Sequence, residues 1–172
     1  MAEMSATRAR STTWLVVLCA LLAVGCLVGG VQVAQARDAR AQAATHQLRY
    51  AAVLAAASRE STAFVNVSHE SARADLARIA AGATGPLKDR YTTSADQFVR
   101  ALRRDRTVTE GAVEWSAVVA LEQNRASVIV ATTGTRADRR TQDEAVPRNL
   151  RLRLELVLQD GHWLTSDIRY LD

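Results

Sequence analysis

The sequence predicts an α+β fold: an N-terminal transmembrane helix and a long helix, then shorter helices packed on a four-stranded antiparallel sheet. Three observations predict it. Residues 14–33 carry no charged side chain, and residues 34–65 contain neither Gly nor Pro. Beyond Arg106 the spacing of apolar residues falls from three or four to two. Over 172 residues, 48% hydrophobic and 23% charged side chains supply one packed core and exclude a disordered tail or a fibre. All basic residues but Lys88 are Arg, and they are scattered among the acids. A net charge of +4 so distributed does not make nucleic acid the expected partner.

The 20 positions from Trp14 to Val33, rising about 1.5 Å each as a helix, cross the ~30 Å hydrocarbon core of a bilayer. Trp14 stands where an interfacial aromatic anchors such a helix, and Leu15, Leu18, Leu21 and Leu22 belong to the same anchor. Gly25 and Gly29 form a GxxxG through which two such helices can pair. Arg8 and Arg10 before the span balance Arg37 and Arg40 after it, so charge does not orient it. Two other readings stay open. Ala34-Gln35-Ala36 has the small-x-small form of a signal-peptidase site, and Ala23-Val24-Gly25-Cys26 loosely imitates a lipobox. The apolar run is longer than a signal core, which favours a retained anchor over residues 13–34 behind a 12-residue tail. Cys19 and Cys26 both lie in this span, and the rest of the chain has no Cys, so disulfides and Cys-ligated zinc are excluded from the folded domain.

Residues 35–47 lack large apolar groups and read as a helical stalk; residues 48–172 form the domain. Leu48, Val53, Leu54, Phe64 and Val65 are the larger apolar groups of the first long helix. Ser68 or Ser71 caps a second helix that carries Leu76 and Ile79 and stops at Gly82. Thr84-Gly85-Pro86 starts a third, in which Leu87, Tyr91, Ala95, Phe98 and Leu102 recur every three or four residues. Val113, Trp115, Ala117, Val119 and Leu121 then share one face of a strand, and residues 126–133 return as a second after a turn at Gln123-Asn124. Residues 134–147 are polar and read as a long exposed loop. Leu150, Leu152, Leu154, Leu156 and Leu158 alternate with Arg151, Arg153, Glu155 and Gln159 in a third strand. Asp160-Gly161 supplies a type I′ turn into the last strand, His162 to Tyr170.

The closing Asp160-Gly161-His162-Trp163-Leu164-Thr165-Ser166-Asp167-Ile168, and Ala81-Gly82-Ala83-Thr84-Gly85-Pro86-Leu87 through Tyr91, resemble the Mce-associated membrane proteins of actinobacteria. The order of anchor, helices and strands is similar along nearly the whole chain. The resemblance implies a cone-like fold of the nuclear transport factor and SnoaL-like type, with a curved sheet. It also implies a cytoplasmic N-terminus, an extracytoplasmic domain, and a place in the cell envelope beside a mammalian-cell-entry (Mce) lipid or sterol transporter. His162 stands where the family pattern has Arg. Physically, Asp160-Gly161 sets hairpin register and Trp163 buries a large surface, so Asp160, Gly161, Trp163, Leu164 and Asp167 make a structural motif without invoking a ligand.

His46, His69 and His162 have no metal-ligand spacing, so no metal and no cofactor is expected. Tyr91, Asp96, His162 and Asp167 are the residues that could line a cone's interior as acid or base, but no nucleophile motif, phosphate loop or carboxylate pair accompanies them. Arg100, Arg103, Arg104 and Arg106 complement the carbonyl end of the third helix, and with Arg151 and Arg153 they are the candidate partner contacts. The expectation is a non-catalytic, single-pass scaffold that assists Mce and permease subunits. Its alternative is a lipid- or steroid-binding domain using the cone interior, and after that a cone-fold enzyme. A scaffold predicts an interior filled by Trp115, Trp163, Phe98 and the leucines; a carrier predicts an open apolar cavity.

Overall fold

The structure, a computed structural model, describes residues 43–171. The chain divides into two compact units, Met1–Gln47 and Leu48–Asp172. Of the first, the described residues 43–47 are helical. The predicted span, with Trp14, Leu15, Leu18, Leu21, Leu22, Gly25 and Gly29, lies outside the described residues. Among the described residues no helix is long and apolar enough to cross a membrane.

The second unit is an α+β body. Its first helix, α1 (residues 48–65), is rich in Ala and buries Val53, Ala56, Ala57, Glu60 and Ser61. That spacing of three and one places all five on one face, and the small Ala side chains let the backbone lie close to the sheet. Asn66 ends α1 by bridging: its amide donates to the carbonyls of Thr62 and Gly111, and its carbonyl accepts from the Gly111 N–H. Strand β1 (Val67–Ser68) comes next, then α2 (Ala72–Gly82), α3 (Gly85–Thr93) and α4 (Ala95–Asp105). Ser71 precedes α2 as expected, yet its hydroxyl donates to Asp75 and leaves the backbone uncapped. The buried Asp75 carboxylate accepts from the Ser68 N–H instead and pairs with Arg78.

The expected third helix is two helices. Its stripe breaks at Ser94, after two threonines whose hydroxyls and branched carbons weaken helix continuity. Thr92 bonds back to the carbonyls of Lys88 and Asp89, and the Ser94 carbonyl accepts the first bonds of α4. Val99 is the buried residue of α4, while Phe98 and Leu102 are half-buried.

Strands β2 (Val108–Leu121), β3 (Arg125–Ala137), β4 (Val146–Pro147), β5 (Leu150–Gln159) and β6 (His162–Tyr170) complete one antiparallel sheet in the order β1-β2-β3-β5-β6, with β4 on β3. The sheet therefore has six strands where four were expected, because β1 and β4 are two-residue strands too short to show a period. The main core lies between α1 and the sheet, with Val128, Val130, Leu152, Leu154, Leu156 and Trp163 at its centre. A second cluster, built on Leu76, Ile79 and Val99, joins α2 and α4 to the end of α1.

Two expectations about β2 and the loop after β3 are overturned. The pairing of β2 with β3 shifts register between Val113 and Trp115 and again between Val118 and Ala120. Each bulge adds a residue and reverses the faces. Val113, Val118 and Leu121 consequently pack on the core, whereas Trp115 is 49% and Val119 53% exposed, on the opposite face with Ala117. Trp115 does not fill the interior. The 134–147 segment is not one exposed loop either: β3 runs through it to Ala137, and Asp138, 1% exposed, ties down the turn of chain after it. Its carboxylate accepts from the N–H groups of Arg140 and Thr141 and from the Arg136 guanidinium, while the Thr141 hydroxyl accepts from the Asp138 N–H. The Arg136 bond above all, with the two backbone donors, holds the Asp138 carboxyl down to about 2.

Candidate functional site

The curl of the sheet leaves a cleft of about 410 Å³ between its concave side and the helices. Its floor is apolar: Phe64 from α1, Leu76 and Ile79 from α2, Phe98 and Leu102 from α4, and Leu150 at the start of β5. Two ring pairs wall it, Phe64 with Tyr170 at 6.2 Å and Tyr91 with Phe98 at 5.7 Å between centroids. Burial, with the neighbouring Tyr170, pushes the Tyr91 phenol above its ordinary range. At the mouth stand Asp105, Glu110, Arg136 and Arg148. Arg136 is engaged by Asp138 and Asp105 by Arg104, while Glu110 is exposed. Arg148 is half-buried, and its backbone N–H donates to the Gly134 carbonyl at 2.7 Å, which fixes it beside β3.

Of the four residues expected to line an interior, the structure places only Tyr91 in the cleft. Asp96 is at the surface, paired with Arg73. His162 is exposed, its ring nitrogen against the Asp160 carbonyl, and Asp167 pairs with Arg169 on the outer side of β6. The arginines also separate. Arg100 and Arg103 are exposed on α4, Arg104 meets Asp105, and Arg106 meets Asp143. Arg151 and Arg153 lie on the outer sheet face, where Arg153 donates to Ser127 and pairs with Glu155. That face continues across β3 to β2 in register: Arg151 opposite Ala131 opposite Trp115, and Arg153 opposite Ile129 opposite Ala117. In the closing hairpin Asp160 and Gly161 both take positive φ in the turn, Trp163 is buried, and Leu164 pairs with Val157. Among the described residues no cluster of His, Cys, Asp or Glu could hold a metal ion.

Two residues of interest escaped the sequence reading. Glu60 is 4% exposed on the core stripe of α1, with its Oε1 and the neighbouring Ser61 Oγ unpartnered. A carboxylate three residues after Ala57 in the 53-56-57 pattern was the available signal. Arg148 gave no signal, since it stands after Pro147 in a stretch without periodicity.

Residues 11–172 match the family described as uncharacterized protein Rv1363c/MT1408-like. The chain belongs to that family. A curated relative, the uncharacterized protein Rv1363c of Mycobacterium tuberculosis, is 27% identical over 130 residues, which is 76% of this chain and 49% of the relative. The chain thus spans about half the length of the curated relative it matches. Among solved structures it is similar to a ketosteroid isomerase-like protein from Erwinia carotovora atroseptica, at 25% identity and a TM-score of 0.52, covering 69% of this chain and 92% of that one. It is also similar to CagV, a VirB8 homolog of the type IV secretion system of Helicobacter pylori. There the identity is 11%, the TM-score 0.54, and the coverage 71% of this chain and 98% of that one, a likeness of fold. The fold is accordingly of the nuclear transport factor and ketosteroid isomerase type, with helices on a curled antiparallel sheet. Its neighbours include both a secretion-system protein and an isomerase-like one.

Proposed function

We propose that this protein is a non-catalytic accessory protein of the cell envelope, held in the cytoplasmic membrane by residues 13–34, with its cone-like domain outside the membrane and docked on a subunit of an Mce-type lipid transporter. The observation that carries the docking role is the outer sheet face. There Trp115 and Val119 stand exposed beside Ala117 and Ile129, and the arginines Arg151 and Arg153 continue the same rows. A large exposed aromatic on an edge strand, with arginines two strands away on the same face, is the composition of an interaction hot spot. It suits a partner that offers an apolar pocket with acidic residues at its rim. Support for the envelope setting comes from the 14–33 apolar run and from the fold likeness to a secretion-system protein. The Mce partner rests on the resemblance of residues 81–91 and 160–168.

The test is recovery of the tagged full chain from its own membranes in mild detergent, with co-purifying proteins identified by mass spectrometry. Mce and permease subunits are expected in near-stoichiometric amounts with the wild type, and lost with Trp115→Glu, which alters only an exposed position. Recovery of the domain without these subunits, or equal recovery with Trp115→Glu, overturns the partner or the docking face respectively.

A further inference from the structure

We propose that the cleft binds one amphiphile with a carboxylate head group, its single chain or ring system on the apolar floor and its carboxylate against Arg148. This goes beyond the docking role and does not depend on which partner covers the outer face. The cleft's 410 Å³ lies in the lower part of the ~300 to 1,000 Å³ typical of small-molecule sites. The apolar part of its lining, Phe64, Leu76, Ile79, Phe98, Leu102 and Leu150, suits a hydrocarbon chain or ring system, with threonines of β2 and β3 lining the rest.

The head group is read from the mouth. Of its two cations, Arg136 is already satisfied by the buried Asp138. Arg148 has neither an ion pair nor a side-chain hydrogen bond among the described residues, yet it is half-buried. A guanidinium without a partner takes a carboxylate or a phosphate through its two-pronged fork, and with Asp105 and Glu110 lining the same cleft the singly charged carboxylate meets less repulsion than a phosphate monoester. The Gly134 contact and the Pro147–Thr135 pairing fix the backbone at Arg148 and just before it, so the side chain starts from a set point beside the cleft. Of the acids at the mouth, Asp105 is partly neutralised by Arg104, and Glu110 is exposed, where water and salt screen its repulsion.

A fatty acid and a sterol carboxylic acid share this chemistry, and the test separates them. The full chain is placed in nanodiscs of zwitterionic lipid and exposed to diazirine-bearing palmitic acid, its methyl ester, or a diazirine-bearing sterol carboxylic acid. Adducts are then mapped by mass spectrometry. Labelling by at least one acid is expected on α4 around Phe98 and Leu102 and on α2 around Leu76. Arg148→Gln should lower that acid's yield about tenfold at sub-saturating probe, as loss of one charge-assisted bond implies. The methyl ester should label the same peptides weakly and ignore Arg148→Gln. Ala101→Phe fills the cleft and should abolish labelling there by every probe; Ala101→Leu replaces it if the Phe variant melts several degrees lower. Whichever acid labels names the class of chain. Adducts confined to other surfaces, labelling that survives the filled cleft, or acid and ester alike in their indifference to Arg148→Gln would each overturn the proposal.

Discussion

Glu60 occupies a position where the pattern of α1 calls for an apolar side chain, and its carboxyl lies against Gly82 so closely that a methyl group there would overlap it. Burial alone pushes this carboxyl from its ordinary 4.5 up to about 7. The folded state therefore holds the proton more tightly than the unfolded chain. The stability tied to that proton is fully present below pH 4.5 and is lost as pH rises through about 7. Glu60→Gln removes the ionisation and keeps the shape. Its stability relative to wild type should rise between pH 4 and pH 8.5 by on the order of 3 kcal/mol. The amide's own burial cost is equal at both pH values and drops out of that difference. Urea unfolding of both forms at the two pH values measures it, and a difference independent of pH would mean that the carboxyl is paired or hydrated in solution.

At the scale of elements, legibility in the sequence followed regularity. The leucines of β5 alternate without interruption, and Leu152, Leu154 and Leu156 are buried as that alternation requires. Gly161, read as a turn residue, adopts φ +78° beside Asp160 at φ +49°, and no atom approaches the place where its Cβ would be. Gly161→Ala should thus cost only the left-handed backbone term, about 1 to 2 kcal/mol, with the slope of the denaturant transition unchanged. A cost near zero would show that the turn relaxes to another type. β2 has apolar alternation just as plain, yet its two bulges reverse which residues face inward. Bulges arise from pairing with a neighbour and leave no mark in the strand's own residues. The Ser94 break did leave one, in the Thr-Thr-Ser run, but the stripe from Leu87 to Leu102 masked it because α4 continues nearly the same face. The floor of the cleft was legible as helix stripes, whereas the place of Arg136 on β3 and of Arg148 just after β4 beside it depends on long-range pairing that no local pattern encodes.

For the molecule as a whole, the sheet has one face committed to the α1 core and one that carries the exposed Trp115 and Val119, and this division is what the bulges of β2 decide. The regular reading of β2 puts Trp115 among the leucines; the bulged one puts it outside while Trp163 alone of the two enters the core. The two arrangements differ in the energetics of single truncations. Leu154 is fully buried at the centre of the core, so Leu154→Ala should cost about 2 to 5 kcal/mol, the loss of buried methyl groups plus the cavity they leave. Trp115→Ala at a half-exposed position should cost no more than about 1 kcal/mol, even though it deletes the larger side chain. Equilibrium unfolding of both variants in the full chain decides between them. A Trp115→Ala cost of several kcal/mol would place the ring inside, abolish the exposed apolar face, and with it the surface on which the docking role stands. A small cost combined with loss of the co-purifying subunits would mean that the tryptophan is kept for a partner and contributes almost nothing to the fold that carries it.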